Sequence, residues 1–146
     1  MMLAIELTEG GWLNALPASQ EQMVQTFLTN GMSEDQIAEK WLSQIGSTST
    51  AGFGSGGAIQ SFYANVKQEF VAFVCGDAKY EEERAQAAAI WRSQGKVGLV
   101  SMVAALVATT VNLAAAAIVP VIALLFSLAA KIGLNAFCTA CKANSS

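Results

Sequence analysis

An uncharged apolar segment, residues 97–130, restricts the fold of this chain more than any other feature of its sequence. The segment is 34 residues long and contains no Asp, Glu, Lys or Arg. A transmembrane helix needs about 20 apolar residues, and one straight helix over this segment would be about 51 Å long, against a hydrocarbon core of roughly 30 Å. The sequence therefore predicts either a membrane-inserting helical hairpin or an apolar hairpin enclosed by other helices.

The most polar point of the segment predicts where the hairpin turns. Thr109, Thr110 and Asn112 lie near its middle and divide it into two arms, 97–109 and 113–130. Each arm is short for a membrane span, so helix must continue beyond the outer end of each arm.

Basic residues flank both ends of the apolar segment, and the turn carries no charge. Arg92 and Lys96 precede the segment, and Lys131 and Lys142 follow it. Because positively charged flanks stay in the cytoplasm, the sequence predicts a membrane protein with both termini cytoplasmic. One spanning helix with a re-entrant or interfacial segment is the alternative topology.

The rest of the chain has the composition of an acidic, soluble helical region. Charged residues make up 13% of the whole chain, about half the usual share. Residues 1–96 contain all 11 acidic residues and six of the eight basic ones. Without a basic patch, nucleic acid is not an expected partner. The N-terminal residues 1–6 are too few and too acidic for a secretory signal.

Histidine is absent from the sequence, which argues against an enzyme. Histidine is the commonest general base and metal ligand, and neither a Ser-His-Asp nor a Cys-His site can be built from this chain alone. A G-x-G-x-x-G match at 52–57 lacks the preceding strand that a dinucleotide site requires. We therefore predict a non-enzymatic protein that uses no cofactor and no metal.

The three cysteines offer too few ligands for a zinc site when histidine is absent. Cys138 and Cys141 form a C-x-x-C whose thiols share one helix face, and packing is preferred over lipid acylation as their role. Cys75 is expected in the core. Since the sequence shows no secretory signal, a disulfide framework is not expected.

Helical periodicity and capping signals predict an all-α fold, a helical bundle with a long C-terminal hydrophobic hairpin that is transmembrane or membrane-inserting. Two S-x-x-Q capping boxes, at 19–22 and 33–36, predict the starts of an N-terminal helical pair. The predicted organisation is an N-terminal helical pair (1–45), a Gly/Ser/Thr linker (46–57), amphipathic helices (58–96), the hydrophobic hairpin (97–138) and a tail (139–146).

The first functional hypothesis is a small membrane-active protein, of toxin, holin-like or defence-effector type, that forms a homo-oligomer and permeabilises or remodels a bilayer. Small residues along the hairpin allow close helix packing in lipid. A conduction path would have to use the few polar groups at that depth, and Pro120 would kink the second arm. The membrane-inserting or pore-lining candidates are Ser101, Thr109, Thr110, Asn112, Pro120 and Ser127.

The second hypothesis is a helical interaction or scaffold module, in which the hairpin is a membrane anchor or a buried core. Ile37, Trp41 and Ile45 recur at helical spacing and are the candidates for binding a protein partner. The same helix carries Lys40 beside several acidic residues, so DNA is a poor partner for it.

Overall fold

The chain folds entirely into helices in a computed structural model that describes residues 11–49, 56–111 and 114–145, with the backbone alone at 15, 43–49, 56–62 and 142–145. The all-α prediction is confirmed. In chain order the elements are a 3₁₀ turn at Leu13–Ala15, α1 (Ala18–Thr29), α2 (Glu34–Ser49), α3 (Gly56–Cys75), a second 3₁₀ turn at Ala78–Tyr80, α4 (Glu81–Val111), α5 (Ala115–Ile132) and α6 (Leu134–Ser145).

The two predicted capping boxes have different outcomes. In the second, the backbone N–H of Ser33 donates to Oε1 of Gln36 at 2.9 Å, and the N–H of Gln36 donates to Oγ of Ser33 at 3.2 Å. This is the reciprocal arrangement of a capping box and starts α2 as predicted. The first prediction was wrong, because α1 begins at Ala18, with Pro17 as its N-cap. The ring of Pro17 fixes φ and offers no N–H, so the helix starts before Ser19.

Two of the predicted segment boundaries also change. The predicted linker, 46–57, is helical at both ends, since α2 continues through Ser49 and α3 begins at Gly56; residues 50–55 lie outside the described part of the chain. The predicted tail, 139–146, is helical in its described part, because α6 extends to Ser145.

Glycines in the left-handed region mark the ends of the hydrophobic hairpin. Gly95 has φ 68° and ψ −151° and interrupts α4, so a separate helical segment begins at Lys96. Gly133 has φ 90° and separates α5 from α6, so the second apolar helix ends at Ile132, within the predicted hairpin of 97–138. Residues with side chains rarely adopt such φ values, whereas glycine does so without steric cost.

The hairpin turns where its polar residues predicted. Helix α4 ends at Val111 and α5 begins at Ala115, and the two helices pack against each other more extensively than any other pair among the described elements. Asn112 lies outside the described residues.

Helix α5 lies at the centre of the bundle. It contacts α2, α3, α4, α6 and the first 3₁₀ turn, and each of the six residues from Val121 to Phe126 is at most 1% exposed. An aromatic cluster surrounds its C-terminal half. The ring of Phe126 stacks on Trp12 at 4.6 Å and meets Phe70 edge-on at 4.8 Å. The most apolar helix of the chain is therefore the core on which the other helices pack.

A disulfide joins the end of α3 to α6. Cys75 and Cys138 are bonded with their Cα atoms 5.7 Å apart, although 63 positions separate them in the sequence. The expectation of no disulfide framework was wrong. In the sequence, the nearest cysteine to Cys138 is Cys141 of the C-x-x-C. The residue that bonds Cys138 is instead Cys75, which the packing of α3 against α6 places beside it.

Candidate membrane hairpin

The hairpin of α4 and α5 is the part of the structure with the clearest functional potential. Two helical segments are long and apolar enough to cross a membrane, Ala78–Val111 and Ala115–Ile132. Half of the apolar window of the second segment is buried in the bundle, against 39% of that of the first. Both arms are therefore partly buried and partly open, and α5 is the more buried of the two.

The open side of α4 is a stripe of small and apolar residues. Val97, Ser101, Ala105 and Thr109 follow one another at four-residue intervals, and all four are exposed. The opposite face, which includes Leu99, Val103 and Val107, is buried. The exposed stripe carries no charge over its four positions, so the outer surface of this arm is compatible with lipid as well as with water.

The structure describes five of the six membrane-inserting candidates and does not bring these five together at one site, although Ser101 and Thr109 share the exposed stripe of α4. Ser101, Thr109 and Thr110 are exposed on α4, Pro120 is buried in α5, and Ser127 is half-buried. The hydroxyl of Thr109 donates to the carbonyl of Ala105 at 3.0 Å. Asn112, the sixth candidate, is outside the described residues. In this conformation the candidates form no common polar surface.

Ser127 lies at the edge of an open cavity of about 650 Å³ between the first 3₁₀ turn, the α1–α2 turn and the end of α5. Lys131 also lines this cavity, and its Nζ lies 3.9 Å from Oε2 of Glu34. The lysine side chain is 60% exposed, and an ion pair of this length with one partner in solvent contributes little to stability. The charged end of α5 is therefore held loosely, in contrast to its buried centre.

Trp41 connects α2 to the N-terminal part of α5. Its indole Nε1 donates to the carbonyl oxygen of Ala117 at 2.9 Å. Pro120 has no N–H to donate to the carbonyl of Ala116, so the helical hydrogen bonding of α5 is already weakened at this turn. The indole therefore binds α5 at the residue after Ala116, whose carbonyl lacks its helical N–H donor.

The proposed partner-binding residues are part of the interior. Ile37 is 1% exposed, and Trp41 is half-buried and occupied by its hydrogen bond to Ala117. In this conformation the apolar face of α2 covers α5, so a partner could reach these residues only if α2 moved away, and their assignment as a partner surface stays a prediction. Ile45 is outside the residues whose side chains are described.

A polar cluster of Asp35, Tyr63 and Lys67 joins α2 to α3. The hydroxyl of Tyr63 donates to Oδ1 of Asp35, and Nζ of Lys67 lies 3.0 Å from the same oxygen. Burial, and then the hydrogen bond to Asp35, raise the pKa of Tyr63 well above its usual value of 10. The folded state therefore keeps this phenol protonated at a pH at which the unfolded chain loses the proton.

This shift predicts a loss of stability at alkaline pH. Above about pH 10 the unfolded state binds fewer protons than the folded state, so the free energy of unfolding should fall by about 1.4 kcal/mol per pH unit from Tyr63. Tyr63→Phe has no phenol to titrate. Above pH 10 its free energy of unfolding should therefore fall less steeply with pH than that of the unsubstituted protein, by about 1.4 kcal/mol per pH unit. Urea denaturation of both proteins over this range tests it, and parallel curves would contradict the assignment.

Arg84 is a buried cation that sequence analysis did not single out. Its guanidinium donates to the carbonyl of Phe73 at 3.0 Å and to that of Asp77 at 2.7 Å. These carbonyls lie at the end of α3 and just beyond it, where a helix leaves acceptors unpaired and its dipole favours a positive charge. Arg84 thus fixes the start of α4 to the end of α3. No periodic pattern indicates such a role, because it depends on the chain reversal at residues 76–80.

The described residues, 11–49, 56–111 and 114–145, contain no group of three or more His, Cys, Asp or Glu side chains placed to hold a metal ion. No protein-family model, curated protein or solved structure matches this chain. The hairpin and the helices that cover it are therefore the features from which a function can be inferred.

Proposed function

We propose that this chain is a small non-enzymatic membrane-active protein whose bundle keeps a membrane-competent hairpin enclosed until it inserts, oligomerises and permeabilises or remodels a lipid bilayer. One observation carries this proposal. The most apolar helix, α5, is long enough to cross a membrane, and half of its apolar window, including all of Val121–Phe126, is buried against the other helices.

The energetics of such a transition favour α5 over the other helices. Lipid tails are about as apolar as a leucine-rich core, so moving α5 from the bundle to the bilayer costs its side chains little hydrophobic free energy. The closed state is held instead by contacts that α5 would leave behind, namely the hydrogen bond from Trp41 to Ala117 and the stacking of Trp12 on Phe126. Opening therefore depends on the covering helices and less on the hairpin.

The lengths and charges of the two arms support insertion as a hairpin. Helix α5 has 18 residues, about 27 Å at 1.5 Å per residue, close to the roughly 30 Å of the hydrocarbon core. Lys96 lies at the outer end of one arm and Lys131 at that of the other. We infer that both termini lie on the cytoplasmic side and that the turn crosses the bilayer. The small exposed residues Ser101, Ala105 and Thr109 would then form a contact between copies in lipid.

Substituting Ala105 by lysine should separate membrane insertion from folding. Ala105 is exposed, so Ala105→Lys should change the free energy of unfolding by no more than about 0.5 kcal/mol. In the inserted hairpin the same charge would lie near the bilayer centre and cost about 2.5–3.5 kcal/mol. Dye release from anionic liposomes should therefore fall roughly a hundredfold at equal protein concentration.

The matched control is Ala89→Lys. Ala89 is also exposed on α4 but lies before Gly95, outside the apolar segment. This variant should release dye as the unsubstituted protein does. If the unsubstituted protein releases no dye at any lipid-to-protein ratio, or if both lysine variants behave alike, the proposal of membrane permeabilisation is rejected.

A second candidate function is an interaction module in which the hairpin is a permanent core. The complete burial of Val121–Phe126 favours this alternative, because the core helix of a soluble bundle is also long, apolar and enclosed. A protein partner would then bind the exposed faces of the N-terminal helices. Incubation with anionic liposomes followed by an alkaline carbonate wash distinguishes the two, since an inserted hairpin stays with the liposomes until detergent is added, whereas a module with a permanent core is washed off.

A further inference from the structure

The three cysteines of the chain lie around the junction of α3 and α6. Cys75 ends α3 and is bonded to Cys138 of α6, while Cys141 has a free thiol that is half-buried. Cys141 follows Cys138 by three positions and also packs against the hydrophobic core. A free thiol thus lies one helical turn away from a disulfide that shares its helix.

Helix geometry allows Cys138 to bond either of the other two cysteines. Positions i and i+3 of an α-helix have Cα atoms about 5 Å apart, within the range of about 4.4–6.8 Å found for disulfides. The Cα atoms of Cys75 and Cys138 are 5.7 Å apart. Both alternative disulfides therefore meet the Cα criterion. The Cβ atoms of positions i and i+3 are about 5–6 Å apart in a regular helix, against about 3.5–4.5 Å in a disulfide, so the second bond requires a local adjustment of this turn of α6 and no change in the rest of the bundle.

We propose that Cys141 exchanges with the Cys75–Cys138 disulfide and converts it to a Cys138–Cys141 disulfide, which ends the covalent connection between α3 and α6. The thiolate of Cys141 attacks Sγ of Cys138, and a new S–S bond forms as the Cys75–Cys138 bond breaks. Sγ of Cys75 leaves as a thiolate and takes up the proton that Cys141 has lost. One disulfide and one thiol are present before and after, so no oxidant or reductant is consumed.

The surroundings of Cys141 control the rate of this exchange. Among the residues whose side chains are described, Lys67 and Tyr63 on α3 and Asp35 on α2 are the titratable groups that act on it. Burial raises the pKa of the Cys141 thiol, and the charge of Lys67 opposes that change. Since the thiolate is the attacking species, the exchange should be slow at neutral pH and accelerate about tenfold per pH unit below the pKa.

The exchange changes what holds α6 in place. In the Cys75–Cys138 form, α6 is bonded covalently to α3. In the Cys138–Cys141 form the disulfide lies within α6, and the helix is held by packing such as the edge-on contact of Phe137 with Phe70, whose centroids are 5.9 Å apart. Because α6 follows α5 after a single residue, Gly133, its release loosens the C-terminal end of the hairpin. The exchange itself does not depend on the proposed membrane function.

The sequence offers a direct assay for this exchange in the full-length oxidised protein. Trypsin cleaves after lysine, so Cys75 falls in peptide 68–79, whereas Cys138 and Cys141 fall together in peptide 132–142. The protein is incubated without reductant at several alkaline pH values, quenched with acid, unfolded, and alkylated with a maleimide at acid pH. Mass spectrometry should show the label moving from peptide 132–142 to peptide 68–79, faster at higher pH and at a rate independent of protein concentration.

Two variants serve as controls. Cys141→Ser has no attacking thiol, so neither peptide should become labelled. Cys75→Ser should form the Cys138–Cys141 disulfide when oxidised. If the label stays on peptide 132–142 at every pH, or if its transfer depends on protein concentration, the internal exchange is rejected. The assay contains no lipid, so this failure is distinguishable from a failure of liposome permeabilisation.

Discussion

Replacing Trp12 by alanine is expected to lower the free energy of unfolding by about 3–5 kcal/mol, the usual cost of truncating a large buried aromatic side chain. Trp12 is 0% exposed, and its ring is stacked on Phe126 of α5 and on Trp91 of α4, with centroid distances of 4.6 and 5.7 Å. Its removal would leave a cavity where both arms of the hairpin meet the N-terminal residues. Urea denaturation monitored by far-ultraviolet circular dichroism measures the change.

Met23→Ala is the control for this prediction, because Met23 is 41% exposed and its truncation should cost no more than about 0.5 kcal/mol. Equal denaturation midpoints for Trp12→Ala and the unsubstituted protein would show that the N-terminal residues do not pack on the hairpin. If the proposed function is correct, Trp12→Ala should also release liposome contents faster, since opening the bundle would cost less.

Removing the disulfide is expected to lower the free energy of unfolding by about as much as Trp12→Ala does. The bond closes a loop between positions 63 residues apart, and a loop of this length corresponds to about 4 kcal/mol in the chain-entropy model. The double variant Cys75→Ala/Cys138→Ala should therefore unfold at a clearly lower urea concentration than the oxidised protein. Treating the unsubstituted protein with a reductant should produce a similar shift without any change of sequence.

Cys141→Ala is the matched control for the disulfide prediction, because it removes the third thiol and leaves the Cys75–Cys138 bond intact. Its midpoint should stay close to that of the oxidised protein. If the double variant and the oxidised protein unfold at the same urea concentration, α3 and α6 are held together by packing, and the bond contributes nothing to stability.

Local signals predicted much of the secondary structure. The capping box at Ser33 and Gln36 starts α2 where the sequence indicated, since it involves groups within one helical turn. The polar residues Thr109 and Thr110 also predicted the end of α4 correctly, because they interrupt the apolar segment just before the helix ends at Val111. By contrast, the box expected at Ser19 was overridden by the neighbouring Pro17, whose backbone already provided the start of α1.

The sequence by itself determined the all-α class, the existence of an uncharged hairpin and its turn, because all three depend on the periodicity and polarity of neighbouring residues. Only the tertiary structure decided that α5 is enclosed, that Trp41 faces Ala117 instead of a partner, and that Cys75 reaches Cys138. The Trp41–Ala117 and Cys75–Cys138 contacts join residues 76 and 63 positions apart, and the burial of α5 depends on which helices pack against it. Apolar periodicity specifies that a helix face is buried, but the same pattern is compatible with burial in a protein core, in a partner or in lipid.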